Sequence, residues 1–209
     1  MTPKKRKQLL TILEELYPTA NSELTFHNEY QLLIAVMLSA QCTDVLVNQV
    51  TPALFSKYPD FTALSRARLG TVEKLIGSVN YFKTKAKNII ATSKVVVADY
   101  DSCVPKTMDT LIELPGVGRK TANVVLGETG AAPAIPVDTH VFRVSRRLGL
   151  SKSTTTDKVE ADLMKLFAPD TWRGLHHRLI FHGRRVCKAR IPNCRECSLH
   201  KLCPSNLAE

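Results

Sequence analysis

Four cysteines near the end of the chain, Cys187, Cys194, Cys197 and Cys203, are the residues whose type and spacing most directly imply chemistry. They form C-x6-C-x2-C-x5-C, so four potential thiolates fall within 17 residues and can wrap one compact centre. The sequence holds 6 cysteines, and crowding four of them into one short stretch argues for metal ligation over disulfides. A tetrahedral zinc site with four thiolate ligands and an iron–sulfur cluster are both open to such a set, although the common zinc spacing pairs C-x-x-C with a longer loop. Lys188, Arg190, Arg195 and Lys201 make the loop basic, with Glu196 a partial offset, and a basic loop suits contact with phosphate. Cys42 and Cys103 lie too far away in sequence to join the set and are expected to be small buried core residues.

The second candidate is Lys120, which follows Leu114-Pro115-Gly116-Val117-Gly118-Arg119. A lysine acts as a nucleophile only while its amine is neutral. A helix start, the neighbouring Arg119 and partial burial would each disfavour the ammonium form, and a nearby carboxylate would favour it. Pro115 ends one helix, Gly116 and Gly118 permit a tight turn with positive φ, and an apolar helical pattern restarts from Thr121. The stretch therefore reads as two short helices about a glycine hairpin. Amides at such a hairpin, close to a helix N-terminus, can bind a phosphate without reading base sequence; an ordinary αα-corner is the other reading. Asp138 follows a proline-rich turn and precedes Val141, Val144 and Leu148 at helical spacing, so it is expected to cap that helix. His140 is expected to be structural.

Helices must position all of these groups. Leu9, Leu10, Leu13 and Leu16 fall at helical spacing, as do Ala86, Ile89, Ile90, Val96 and Val97, and the fold is expected to be all-α. Val95-Val96-Val97 is the best strand candidate, but it sits within a helical pattern and lacks alternating polarity. Breaks at Tyr17-Pro18, Lys57 to Asp60, Gly77, Val104-Pro105, Pro115-Gly116, Ala132 to Pro136, Gly149 and Ala168 to Asp170 leave short helical segments. The chain has 29 Lys and Arg against 19 Asp and Glu, a net charge of +10, which favours a polyanionic partner. The apolar run Leu32 to Leu38 is far shorter than the roughly 20 residues that span a bilayer and is expected to be core. Lys4-Lys5-Arg6-Lys7 moves directly into an amphipathic pattern, without the apolar stretch of a secretion signal.

Leu114 to Ala122, Val137-Asp138-Thr139-His140-Val141-Phe142-Arg143, Leu38-Ser39-Ala40-Gln41 and the cysteine spacing together resemble the endonuclease III family over nearly the whole chain. The resemblance implies two helical lobes flanking a DNA-binding cleft. Residues 22–132 would form a helical barrel domain with a helix-hairpin-helix at about 107–130, and residues 1–21 with 133–209 an iron–sulfur domain with its cluster loop at 187–203. It implies a bifunctional DNA N-glycosylase and AP lyase of base excision repair, acting on oxidised pyrimidines and abasic sites in duplex DNA. Lys120 would be the nucleophile that forms a Schiff base, and Asp138 would stabilise an oxocarbenium-like sugar and assist deprotonation of the amine. The four cysteines would hold a [4Fe–4S] cluster that locks the basic loop.

An enzyme of this type extrudes the damaged nucleotide and fills the gap. The resemblance nominates Gln41 for the vacated space and Tyr81, within Asn80-Tyr81-Phe82-Lys83, as a wedge beside the opposite base. Tyr81 stands where a leucine is expected, a departure that bears on wedge geometry and opposite-base preference. The plainer readings are a helix-capping Gln41 and core aromatics at Tyr81 and Phe82. Gly116, Gly118, Arg119, Lys188 and Arg190 are the other implied DNA contacts.

Two other activities compete with this one. Adenine-mismatch glycosylases resemble the chain in hairpin and cluster but generally lack the lysine and carry an extra C-terminal domain, whereas this sequence ends 6 residues after Cys203. A non-catalytic helix-hairpin-helix DNA-binding protein would share the hairpin alone. Phosphate-dominated binding weakens with salt under every one of these readings, so only chemistry separates them. A monomer in a bacterial cytoplasm, associated with the nucleoid through DNA, with no membrane segment and no secretion signal, completes the expectation.

Overall fold

The computed structural model describes residues 1–206; residues 207–209, which the sequence reading assigns to the iron–sulfur domain, lie outside the described residues. Among the described residues there are eleven α-helices, two short 3-10 turns and no strand, as the helical periodicity anticipates. No described helix is long and apolar enough to cross a membrane. The chain divides into two compact units, one of Ser22–Ala132 and one of Met1–Asn21 with the chain from Pro133 onward.

The first unit holds α2 (Glu29–Ser39), α3 (Asp44–Lys57), α4 (Phe61–Ser65), α5 (Leu69–Leu75), α6 (Phe82–Asp99), α7 (Met108–Ile112) and α8 (Arg119–Thr129). Side-chain caps set several helix starts: Asn28 accepts from the Gln31 amide, Thr43 from Leu46, Asp60 from Ala63 and Thr107 from Thr110. α2 is the centre of this unit. Leu32 to Leu38 are all buried, and α2 packs against α3, α6 and α8. A helix apolar on every face is stable only when surrounded. Val95-Val96-Val97 lies inside α6, where local helical patterning outweighs the β preference of valine.

α7 and α8 pack together, joined by the turn that carries Gly116 at φ 80°. An added Cβ there would lie 2.4 Å from Asn88 Nδ2 on α6, so both the backbone angle and the space require glycine. The Thr92 hydroxyl, also on α6, donates to the Pro115 carbonyl at 2.7 Å. Gly118 differs from the sequence expectation, with φ −95° and open space around its Cβ position.

The second unit holds α1 (Pro3–Leu16), α9 (Thr139–Arg147), α10 (Thr156–Leu166) and α11 (Trp172–Arg185). α11 packs on α1 and α9, and α10 packs on α9. Leu9, Leu13, Val141, Val144, Leu163, Leu175 and Leu179 form its core. Leu16, fourth in the first helix's apolar pattern, is exposed, so the stripe of α1 is narrower than its spacing suggests.

Gly116→Ala is predicted to cost about 1–3 kcal/mol, because alanine at positive φ is strained and its Cβ meets Asn88. Chemical denaturation checks this: Asn88→Ala in the Gly116→Ala background should recover part of the loss, and an unchanged midpoint in the single variant would contradict the packing.

Candidate active site and cysteine-lined pocket

Lys120 is the second residue of α8, whose N-cap is Gly118. Glycine brings no side chain to that position, and α8 starts with no side-chain cap, unlike α2, α3 and α7. An uncapped helix start presents first-turn amides and the positive end of the peptide dipoles to an anion. Gly116, Gly118, Arg119 and Lys120 are all exposed. The partial burial expected for Lys120 is therefore absent, because the hairpin lifts the start of α8 off the core while Leu114, Val117 and Ala122 face inward.

Asp138 belongs to the other unit. Its carboxylate accepts from the Val141 amide at 2.7 Å, so it is the N-cap of α9 that the pattern Val141, Val144, Leu148 anticipates. The segment before it is fixed: Ala134, Ile135 and Val137 are buried, and the His176 ring donates from Nδ1 to the Pro136 carbonyl at 2.8 Å. Asp138 itself is half-buried.

Three of the residues nominated for DNA contact lie together in the first unit. Gln41, Tyr81 and Gly116 line one pocket, with Met37, Lys85 and Asn88. Gln41 (φ 54°) and Tyr81 (φ 58°) are both non-glycine residues in the left-handed region, a conformation that costs about 1–3 kcal/mol and concentrates at functional sites. Tyr81 is 67% exposed at the start of α6, so it is not a core aromatic. Gln41 caps no helix; Thr43 is the N-cap of α3. Lys85 is buried in the wall, and burial shifts its amine toward the neutral form, with Cys42 acting in the opposite direction.

Cys187, Cys194, Cys197 and Cys203 line a second pocket together with Arg147 and His182. Burial raises the Cys197 and Cys203 thiols; Cys187, Cys203 and Cys194 push Cys197 further, and Cys187 and Cys194 push Cys203 further. Among the described residues, no three His, Cys, Asp or Glu side chains converge on a single ion. Cys103 is exposed and Cys42 half-buried, a correction to the core role expected of both. Neither Tyr100-Asp101-Ser102 before Cys103 nor the turn before Cys42 is helical, and these irregular segments lie at the surface.

α9 carries two arginines that tie down the loop. Arg143 donates from Nε and Nη2 to the Cys187 carbonyl, both at 3.1 Å, and from Nη2 to the Gly183 carbonyl at 2.9 Å. Arg147 donates to the carbonyls of Lys188 at 2.7 Å and Ala189 at 2.8 Å, and its Nη1 approaches Cys187 Sγ at 3.5 Å. His182 faces the pocket from α11, held neutral by burial that lowers it to about 4. Tyr17, raised by burial, keeps its hydroxyl, which pairs with His182 Nδ1 at 3.1 Å, while His182 Nε2 stands 3.6 Å from Cys197 Sγ. Lys188 and Arg190 stay exposed on this loop. Sequence reasoning missed Arg143, Arg147, His182 and Lys85; the two arginines stand i, i+4 on one helix face, which is the signal that could have found them.

Residues 34–169 match the model of the HhH-GPD superfamily of base excision DNA repair proteins. The chain is 49% identical to endonuclease III of Synechocystis over 208 residues, 98% of this chain and 95% of that protein. It superposes on a non-covalent endonuclease III–DNA complex with a TM-score of 0.93 at 43% identity, covering 99% of this chain and 97% of that one. A trapped endonuclease III–DNA covalent intermediate gives the same TM-score of 0.93, 43% identity and coverage of 99% and 97%.

Proposed function

The chain belongs to the endonuclease III family of the HhH-GPD base excision DNA repair superfamily, and on that premise we propose that it is a bifunctional DNA N-glycosylase and AP lyase that removes oxidised pyrimidines from duplex DNA. The observation that carries this reading is an exposed lysine in the first turn of an uncapped helix directly behind a glycine hairpin. The hairpin amides and Arg119 hold the phosphate backbone without reading sequence, and Lys120 reaches the sugar.

The damaged nucleotide is extruded, with Gln41 entering the space it leaves and Tyr81 wedging beside the opposite base. The neutral Lys120 amine attacks C1′; the new C–N bond forms as the N-glycosidic bond breaks, and the base departs with the bonding pair and gains a proton. The Asp138 carboxylate stabilises positive charge developing on the sugar and accepts the proton that the lysine loses. Opening of the sugar ring gives the Schiff base. Loss of a C2′ proton then expels the 3′ phosphate, nicking the strand by β-elimination, and hydrolysis of the imine returns the amine.

Members of the endonuclease III family generally carry a [4Fe–4S] cluster. In this chain Cys187, Cys194, Cys197 and Cys203 would hold it. Four cysteine sulfurs lining one pocket are a donor set that fits a thiolate-ligated cluster, and their C-x6-C-x2-C-x5-C spacing, which resembles that of the family's cluster loop, favours iron–sulfur over zinc. Bound there, the cluster supplies a rigid thiolate-ligated staple for the loop that presents Lys188 and Arg190 to phosphate. The protein acts as a monomer on damaged duplex DNA in a bacterial cytoplasm, associated with the nucleoid through that DNA.

Lys120→Ala should lower single-turnover excision from an oxidised-pyrimidine duplex by more than about a thousandfold. Asp138→Asn keeps a good N-cap and should cost little stability while lowering excision roughly 10²–10⁴-fold. If Asp138→Asn excises like the parent, Asp138 is a cap and nothing more. The purified protein is expected to be brown, with broad visible absorption that disappears in Cys197→Ser; a colourless parent with stoichiometric zinc would contradict the cluster.

A further inference from the structure

The turn that carries Gln41 is held by two side chains for which the reaction above has no use. α2 ends at Ser39, and Ala40 follows at φ −57°, ψ 117°, with Gln41 at φ 54° and the Cys42 amide bonded to the Ser39 carbonyl at 3.0 Å. This is a type II turn with Gln41 at the position that favours glycine or asparagine. Three more carbonyls in and beside the turn accept from side chains at the start of α6. The Lys85 amine donates to Leu38 at 2.8 Å and to Ala40 at 2.6 Å, and the Asn80 amide donates to Gln41 at 2.7 Å.

We propose that Asn80 and Lys85 form a carbonyl clamp that holds Gln41 in its left-handed conformation, and so act as positioning residues for nucleotide extrusion. The inference rests on the reading of Gln41 as the residue that enters the vacated space. Asn80 and Lys85 flank Tyr81 by one and four residues, so the clamp ties the filler to the wedge within one unit of the fold. Lys85 is 8% exposed and has both carbonyls within reach, a geometry that spends a buried amine on backbone alone. Its position also fits the end of α2, where a cation opposes the negative end of the helix dipole. A glutamine held in this way needs no ordering when DNA arrives, and preorganisation of this kind lowers the cost of binding.

The test is a double-mutant cycle on the whole protein. Single-turnover excision from an oxidised-pyrimidine duplex is measured for the parent, Asn80→Ala, Lys85→Met, Gln41→Ala and the Asn80→Ala/Gln41→Ala pair, with thermal unfolding alongside. Asn80 is exposed, so its variant keeps the test alive if Lys85→Met does not fold. Each single variant is expected to lose roughly tenfold, and the pair to lose no more than about twofold beyond Gln41→Ala, because residues acting through one another are not additive. A roughly hundredfold loss in the pair, or parental rates in both clamp variants, overturns the clamp. A parent that excises no base refutes the glycosylase reading instead, and the same cycle is then read in affinity for that duplex, where additivity would overturn the clamp and non-additivity support it.

Discussion

The approach of the hairpin backbone to α6 is the constraint on which the first unit depends. Only a residue without Cβ can occupy position 116, because Asn88 fills the space where a side chain would stand, and Thr92 one turn further along grips the Pro115 carbonyl. Both contacts fix where α8 begins, and α8 has no side-chain cap to fix it. The position of Lys120 is thus inherited from α6. The same helix carries Tyr81 at its start and Lys85 one turn on, so a single rod sets the hairpin, the exposed aromatic and the Gln41 turn in one frame.

α9 has the equivalent role in the other unit. Asp138 is its first cap, and Arg143 and Arg147 on its later turns bond the backbone from Gly183 to Ala189. Hydrogen bonds from a guanidinium are stronger than neutral ones, about 1.5–3 kcal/mol each in net effect. They hold a loop that contains little regular structure, between α11 and the short 3-10 turn at His200–Leu202. In both units the carbonyls left over at a helix end or turn are taken by cationic side chains from a neighbouring helix. Precise placement is thereby obtained in irregular segments, which is where catalytic groups are usually carried.

Much of this was legible in the sequence wherever the signal is local. Period-3.6 apolar spacing marked the helices, the continuous run Leu32 to Leu38 marked the buried core helix, and Pro115 with Gly116 marked the turn between α7 and α8. The N-cap role of Asp138 also followed from its neighbours alone. Contacts between residues far apart in sequence were not legible: Lys85 meets α2 across 45 and 47 positions, and Arg147 meets the cysteine loop across 41 and 42. A buried lysine that bonds carbonyls has no more sequence signature than a solvated one. The exposure of Cys103 and of Lys120 escaped the sequence for the same reason, since exposure depends on which side of a turn faces the core, and residue type alone does not carry that.

The account turns on one atom, the Lys120 amine. The most direct measurement is borohydride reduction of the protein on an oxidised-pyrimidine duplex, followed by proteolysis and mass spectrometry of the cross-linked peptide. A stable adduct whose added mass maps to Lys120 is the predicted result. Base release with no adduct, or an adduct on another lysine such as Lys85, would contradict it.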